Sequence, residues 1–251
     1  MKIAVSGKGG VGKTTLSALL ITVLASMGRR VLAIDADSSP HLARVLGFPN
    51  PDEITPIAEM RELLNERSER DGPFYRLNPR VDDLPERFIR IQGNIKLMTV
   101  GAIRQGGGGC ACSDNVVLKA LLNTLMLSPD EDIVLDMEAG VEHLGRGTVA
   151  SVDHLLVVAQ PYLGSIETVS KIIALAKDLK MKAIHVVVNA VSAPEDVVFV
   201  EKSLNMPVLA AFPASSLVRQ AERTGAEVAL ADETMLQKAR ELLEKLGAFS
   251  A

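Results

Sequence analysis

The sequence predicts an α/β fold, a doubly wound and mainly parallel β-sheet flanked by helices. Three observations lead there. Short runs rich in Val, Ile and Leu alternate along the chain with longer stretches of helical periodicity, the pattern of parallel strands joined by right-handed helical crossovers. Apolar residues make up 47% of the 251 residues while aromatics make up only 3%, so the core must be built from aliphatic side chains that suit strands buried on both faces. The N-terminus passes from an apolar strand into a glycine-rich turn and then into a helix, the order expected of a phosphate-binding P-loop fold.

Taken in order, residues 2–6 read as the first strand. Residues 13–28 then carry Leu16, Leu19, Leu20, Val23, Leu24 and Met27 at helical spacing and stop at Gly28. A second buried strand at 30–34 delivers Asp35-Ala36-Asp37. Residues 48–94 change character, with six prolines and closely mixed Arg, Glu and Asp. They are expected to form an irregular surface insertion, with a short helix at 57–64, inside a single domain spanning 1–251. The arginines of this stretch, among them Arg61, Arg67, Arg80 and Arg87, are interleaved with acids, which favours ion pairs on a solvated surface over a nucleic-acid face. Further strands are expected at 95–100, 133–137, 154–159, 183–189 and 208–212, with helices at 116–127, 164–180, 195–204 and 215–224. A C-terminal helix carries Leu236, Leu242, Leu243 and Leu246. Glu233, Glu241 and Glu244 among its polar residues are unlike a basic membrane anchor, so it should dock on its own domain.

The net charge of −4 provides no global attraction for nucleic acid or anionic lipid. No run of about eighteen apolar residues is present to cross a bilayer, and the apolar opening ends at the glycine turn rather than at a signal-peptide cleavage site. A cytoplasmic protein is expected. The two cysteines, Cys110 and Cys112, are one residue apart, which is not a secreted disulfide framework.

Chemistry concentrates first at Gly7-Lys8-Gly9-Gly10-Val11-Gly12-Lys13-Thr14-Thr15. Gly7, Gly12, Lys13 and Thr14 satisfy G-x-x-x-x-G-K-[ST], in which backbone N–H groups wrap a polyphosphate, the lysine reaches β/γ oxygens and the hydroxyl ligates Mg²⁺. The helix N-terminus adds unpaired N–H groups and partial positive charge. Asp136 follows an apolar strand, the place of a Mg²⁺-associated acid, and Gly140 four residues on would present an N–H to a γ-phosphate. Asp35 and Asp37 lie at the edge of the sheet where ligands bind. Asn189 and Pro213 each close a strand. Asn189 is open to a second reading as a strand-terminal turn residue.

Lys8, a second lysine at the loop entrance, makes the string resemble the deviant Walker A motif of the MinD, ParA and nitrogenase iron protein family. The resemblance implies an ATPase that forms a nucleotide-dependent homodimer, with Lys8 reaching the partner's phosphates. It also implies that Asp37 of switch I orients the attacking water while Asp35 sits nearer the metal. Asp136-Met137-Glu138-Ala139-Gly140 becomes switch II, and Asn189 with Pro213 holds adenine. No Asn-Lys-x-Asp string for guanine is present, since Ala190-Val191-Ser192 follows Asn189.

Two thiols in one glycine-rich loop, Gly106-Gly107-Gly108-Gly109-Cys110-Ala111-Cys112, leave a four-ligand site half complete, and a C₂ homodimer would gather four sulfurs. Loop thiols without a ligand are the other reading. This string, with the segment from Asp136 through His143 and Arg146 to Thr148, resembles the family branch of nickel-insertion ATPases that mature carbon monoxide dehydrogenase. That likeness implies Ni²⁺ or Zn²⁺ at Cys110 and Cys112, and apo carbon monoxide dehydrogenase as partner, without nucleic acid or membrane. The contrasting reading is a ParA/MinD-like positioning ATPase that binds DNA or membrane.

Overall fold

The computed structural model describes residues 1–68, 70–71, 74–75, 79–102, 111–128, 130–141, 144 and 146–249. In chain order the elements are β1 (Lys2–Gly7), α1 (Lys13–Ser26), β2 (Val31–Ala36), α2 (Leu42–Val45), α3 (Arg61–Arg67), β3 (Arg70–Asp71), β4 (Phe74–Tyr75), α4 (Leu84–Phe88), β5 (Arg90–Gln92) and β6 (Ile95–Thr99). They continue with α5 (Ala111–Met126), β7 (Asp132–Met137), α6 (Arg146–Ser151), β8 (His154–Ala159), α7 (Leu163–Asp178), β9 (Ile184–Val191), α8 (Pro194–Leu204), β10 (Val208–Pro213), α9 (Ser216–Thr224) and α10 (Glu233–Lys245).

Eight strands form one sheet in the order β10-β9-β8-β1-β7-β2-β6-β5. Every neighbouring pair is parallel except β5 with β6. The central β1 has β7 on one side and β8 on the other, so the chain winds away from it in both directions. A ligand crevice is expected at the C-terminal end of such a strand, and there the glycine-rich turn begins.

Period-two alternation divides the core. Ile3 and Val5 of β1, with Val31 and Ala33 of β2, pack under α1, α2, α9 and α10 through Leu20, Leu42, Val218 and Leu243. Ala4, Leu32 and Ile34 face the other way, onto Leu121 and Leu122 of α5, Val169 of α7 and Val200 of α8. Helix α1 is buried on nearly every side, which explains why its apolar residues exceed a single stripe. Among the described residues no helix is long and apolar enough to cross a membrane.

The stretch 48–94 is more ordered than its prolines suggest. Ile57, Leu63, Leu64, Val81 and Leu84 enter the core beside α5, while Arg67 forms a two-point ion pair with Asp83 at 2.9 and 2.8 Å. Strand β5 and the β3–β4 pair are elements that polar composition concealed. Helix α5 starts five residues before the expected boundary, so Cys112 belongs to its first turn rather than to a loop.

Helix α10 docks as its periodicity required, with Leu242 and Leu243 fully buried against the α1 side. Leu243→Ala is therefore expected to lower stability by about 2–4 kcal/mol in a denaturant titration, the range for a truncated core leucine. A face held in reserve for lipid would give a change below about 0.5 kcal/mol.

Candidate nucleotide site

The turn between β1 and α1 can close only around glycine at two places. A Cβ on Gly7 would stand 2.5 Å from the Val158 carbonyl oxygen of β8, and one on Gly12, which has φ 96°, would collide with the Asn189 amide. Lys13 begins α1 and is buried, its Nζ 3.5 Å from the Lys8 carbonyl oxygen and 3.9 Å from Asp37 Oδ2. The ammonium is held within the turn by a backbone carbonyl and by the Asp37 carboxylate.

Parallel register sets Asp35 of β2 directly beside Asp136 of β7, and Val5 beside Asp136 on the other flank. Asp136 is wholly buried; Ser17 Oγ donates to its Oδ1 at 3.1 Å, while Oδ2 is enclosed without a hydrogen-bond partner among the described residues. Burial, then the charge of Asp35, raises its pKa from an ordinary 3.8 to about 7, against the opposing pull of Thr14, Lys13 and Ser17. Asp35 is pushed to about 6, chiefly by burial, although its carboxylate accepts the N–H groups of Leu42 at 2.9 Å and Asp37 at 3.2 Å. Those two bonds hold the switch I turn against the sheet. An orphaned carboxylate oxygen, a second buried acid and the Thr14 hydroxyl are hard oxygen donors of the kind Mg²⁺ takes, so the residues fit that ion.

The turn after β2 and the turn after β7 touch. Ser38 Oγ donates to Glu138 Oε1 at 2.9 Å, and Asp37 Oδ1 accepts the Ser39 N–H at 3.0 Å. Gly140, at φ 109°, donates its N–H to Ser6 Oγ at 3.2 Å. Lys8 points away from the turn. Its Nζ lies over the Tyr162 ring, 5.4 Å from the centroid, and a Cβ on Gly164 would stand 2.9 Å from it.

A cleft of about 520 Å³ runs beside the turn, from Gly9, Gly10, Lys13 and Thr14 past Asp37, His41 and Arg44 to Glu222 and Ala226. It is of the size of a small-molecule site. Asn189 does not line it. This residue lies inside β9 rather than at its end, and its amide donates to the Val11 carbonyl at 2.8 Å. The next residue, Ala190, has φ 57°, a conformation costly for any residue with a Cβ, close to where the β9–β10 register shifts. Pro213 ends β10 beside Val191 and lines neither this cleft nor the smaller cavity next to Asn189.

A family profile described as the CobQ/CobB/MinD/ParA nucleotide binding domain matches residues 2–228. The chain belongs to the CobQ/CobB/MinD/ParA family. It is 40% identical over 231 residues to the carbon monoxide dehydrogenase accessory protein CooC of Rhodospirillum rubrum, covering 90% of this chain and 88% of that protein. It is 37% identical to an uncharacterized ATP-binding protein of Methanocaldococcus jannaschii, over 92% and 91% of the two chains. The cell division protein MinD of Aquifex aeolicus shares the fold, with a TM-score of 0.66 at 22% identity over 100% and 98% of the two chains.

The fold sets Lys13, Thr14 and Asp37 on the wall of the cleft, with Asp35 and Asp136 side by side on the adjacent strands β2 and β7. Cys110 and His143 lie outside the described residues. Cys112 and Arg146 are placed by backbone in the first turns of α5 and α6. Among the described residues no group of three or more His, Cys, Asp or Glu gathers to hold a metal. Sequence reasoning passed over Ser6, Ser17 and Ser38. The first two carried a signal, since each is a hydroxyl in an otherwise apolar strand or helix and so needs a partner once buried.

Both buried acids hold protons more tightly folded than unfolded. Between about pH 4 and pH 7 the folded state therefore binds more protons, and stability falls as pH rises. In EDTA, Asp136→Asn is expected to melt above the parent at about pH 8 and to lose that advantage at about pH 4.5, where the parent carboxyl is protonated in the folded state. A melting difference that did not vary with pH would contradict the ionisation described for Asp136.

Proposed function

We propose that the protein is an ATP-dependent metallochaperone of nickel-enzyme maturation, acting as a homodimer in the cytoplasm. It hydrolyses ATP to ADP and phosphate. The observation that carries the ATPase part is the enclosed, unpartnered Asp136 Oδ2 beside Lys13 and Thr14 at the end of β1. The similarity to CooC, itself described as a carbon monoxide dehydrogenase accessory protein, supports a related enzyme as the client.

In this reading the turn from Gly7 to Thr15 binds the β and γ phosphates through its N–H groups, and Lys13 exchanges Asp37 for phosphate oxygens. Asp37, released from that contact, orients the attacking water. Thr14 and Asp136, with the neighbouring Asp35, would hold Mg²⁺, which would offset charge on the phosphate oxygens. Lys8 leaves Tyr162 and reaches the partner's phosphates. An adenine role for Asn189 needs its amide to let go of Val11, with Pro213 bordering the base.

The metal role rests on Cys110 and Cys112 of two subunits completing one four-thiolate site for Ni²⁺ or Zn²⁺. A physical link to the nucleotide supports it. The Asp35 carbonyl accepts the N–H groups of Val100 at 2.8 Å and Gly101 at 3.1 Å, so the switch I strand also anchors the start of the segment that leads to the cysteines. The rival positioning role is disfavoured by α10, whose apolar side is spent on α1 rather than free for lipid.

Two measurements check this assignment. Asp37→Ala is expected to bind ATP like the parent and to hydrolyse it slower by about 10²-fold or more; parent-like turnover would remove the water-orienting role. Cys110→Ser/Cys112→Ser is expected to lose the one-metal-per-dimer Ni²⁺ or Zn²⁺ site in a metal titration while keeping ATP turnover, and equal metal affinity in both proteins would refute thiolate ligation.

A further inference from the structure

Ser6 is the last residue before the glycine turn, fully buried, and the proposed reading gives it no task. Its hydroxyl accepts the Gly140 N–H at 3.2 Å and lies 3.0 Å from the Gly140 carbonyl oxygen, to which it donates. The Glu138 carbonyl oxygen, at 3.4 Å, is a second acceptor. A hydroxyl has one hydrogen and two lone pairs, so this single group serves both backbone polar groups of Gly140. The contact spans 134 residues of sequence and ties β1 to the segment after β7. Around it the bonds are weaker or exposed, since Ser38 and Glu138 meet at the solvent boundary.

A peptide N–H is one donor. To serve a γ-phosphate oxygen, the Gly140 N–H must leave Ser6, whereas a nucleoside diphosphate offers it no such acceptor. We propose that Ser6 sets the discrimination between nucleoside triphosphate and diphosphate by holding the Gly140 peptide in its resting position. On this proposal the contact seen here would persist with ADP and be exchanged when a γ-phosphate arrives. Its strength is thus subtracted from the affinity for the triphosphate alone. Removing the hydroxyl leaves two enclosed backbone groups without this partner in the resting conformation, which raises the free energy of that conformation and not of the γ-phosphate-bound one. Ser6 acts through Gly140 and is a positioning residue.

This inference rests on the nucleotide reading above, and the experiment separates the two. Mg-AMPPNP and Mg-ADP affinities are measured for the parent, Ser6→Ala and Ser6→Cys. Ser6→Ala is expected to bind AMPPNP tighter by about three- to tenfold, the span set by the net value of one hydrogen bond, with ADP affinity unchanged. Ser6→Cys, which restores a weak donor and acceptor, should fall between. In the parent, the Gly140 amide resonance should shift with AMPPNP and hold its place with ADP, a measurement that does not depend on the variants folding. Equal changes for both nucleotides, or a Gly140 amide indifferent to AMPPNP, would overturn the role of Ser6 alone. A parent that binds neither nucleotide would overturn the nucleotide reading and this inference with it.

Discussion

Two carboxylates set side by side in the dry interior by parallel strand register are the constraint around which this molecule is arranged. Asp35 and Asp136 occupy equivalent positions on adjacent strands, and among the described residues neither forms an ion pair, although the charge of Lys13 acts on Asp136. A pair of acids so placed disfavours full ionisation. The surrounding structure answers with hydroxyls and amides: Ser17 on one acid, and the backbone of Leu42 and Asp37 on the other. Among the described residues one oxygen of Asp136 is left without a hydrogen bond. The native state thus carries a destabilising feature at neutral pH, a common arrangement where function and stability compete.

The same register makes the two switch segments neighbours of one another. Asp35 shapes the turn that holds Asp37, and its carbonyl anchors the chain after β6. Asp136 leads into Glu138 and Gly140, which return to Ser38 and Ser6. The two strand ends are thus joined by hydrogen bonds between side chains and backbone. Rigid β-strands beneath the switches give those bonds a fixed reference.

Much of this was legible in the sequence because buried parallel strands are continuous apolar runs that do not depend on distant partners for recognition. The strands from β1 to β2, and from β6 through β10, announced themselves in that way, as did the glycines that backbone crowding at Val158 and Asn189 demands. Strand β5 did not, because its Arg90-Ile91-Gln92 is extended only by pairing with β6. The start of α5 was hidden by a preceding glycine run whose composition reads as loop. The role of Ser6, the tether of Asn189 to Val11 and the seat of Lys8 on Tyr162 depend on residues more than a hundred positions away, and no local pattern encodes such meetings.

The seat of Lys8 has a consequence of its own. An ammonium over an aromatic face gains about 0.5–1 kcal/mol at an exposed site. Tyr162 also caps the N-terminal end of α7, where peptide dipoles present partial positive charge and oppose a cation by about 0.3–1 kcal/mol. The two contributions nearly cancel, which leaves the side chain in a shallow well rather than locked. Among the described residues the Lys8 ammonium forms no ion pair that would have to break before it turned from the ring.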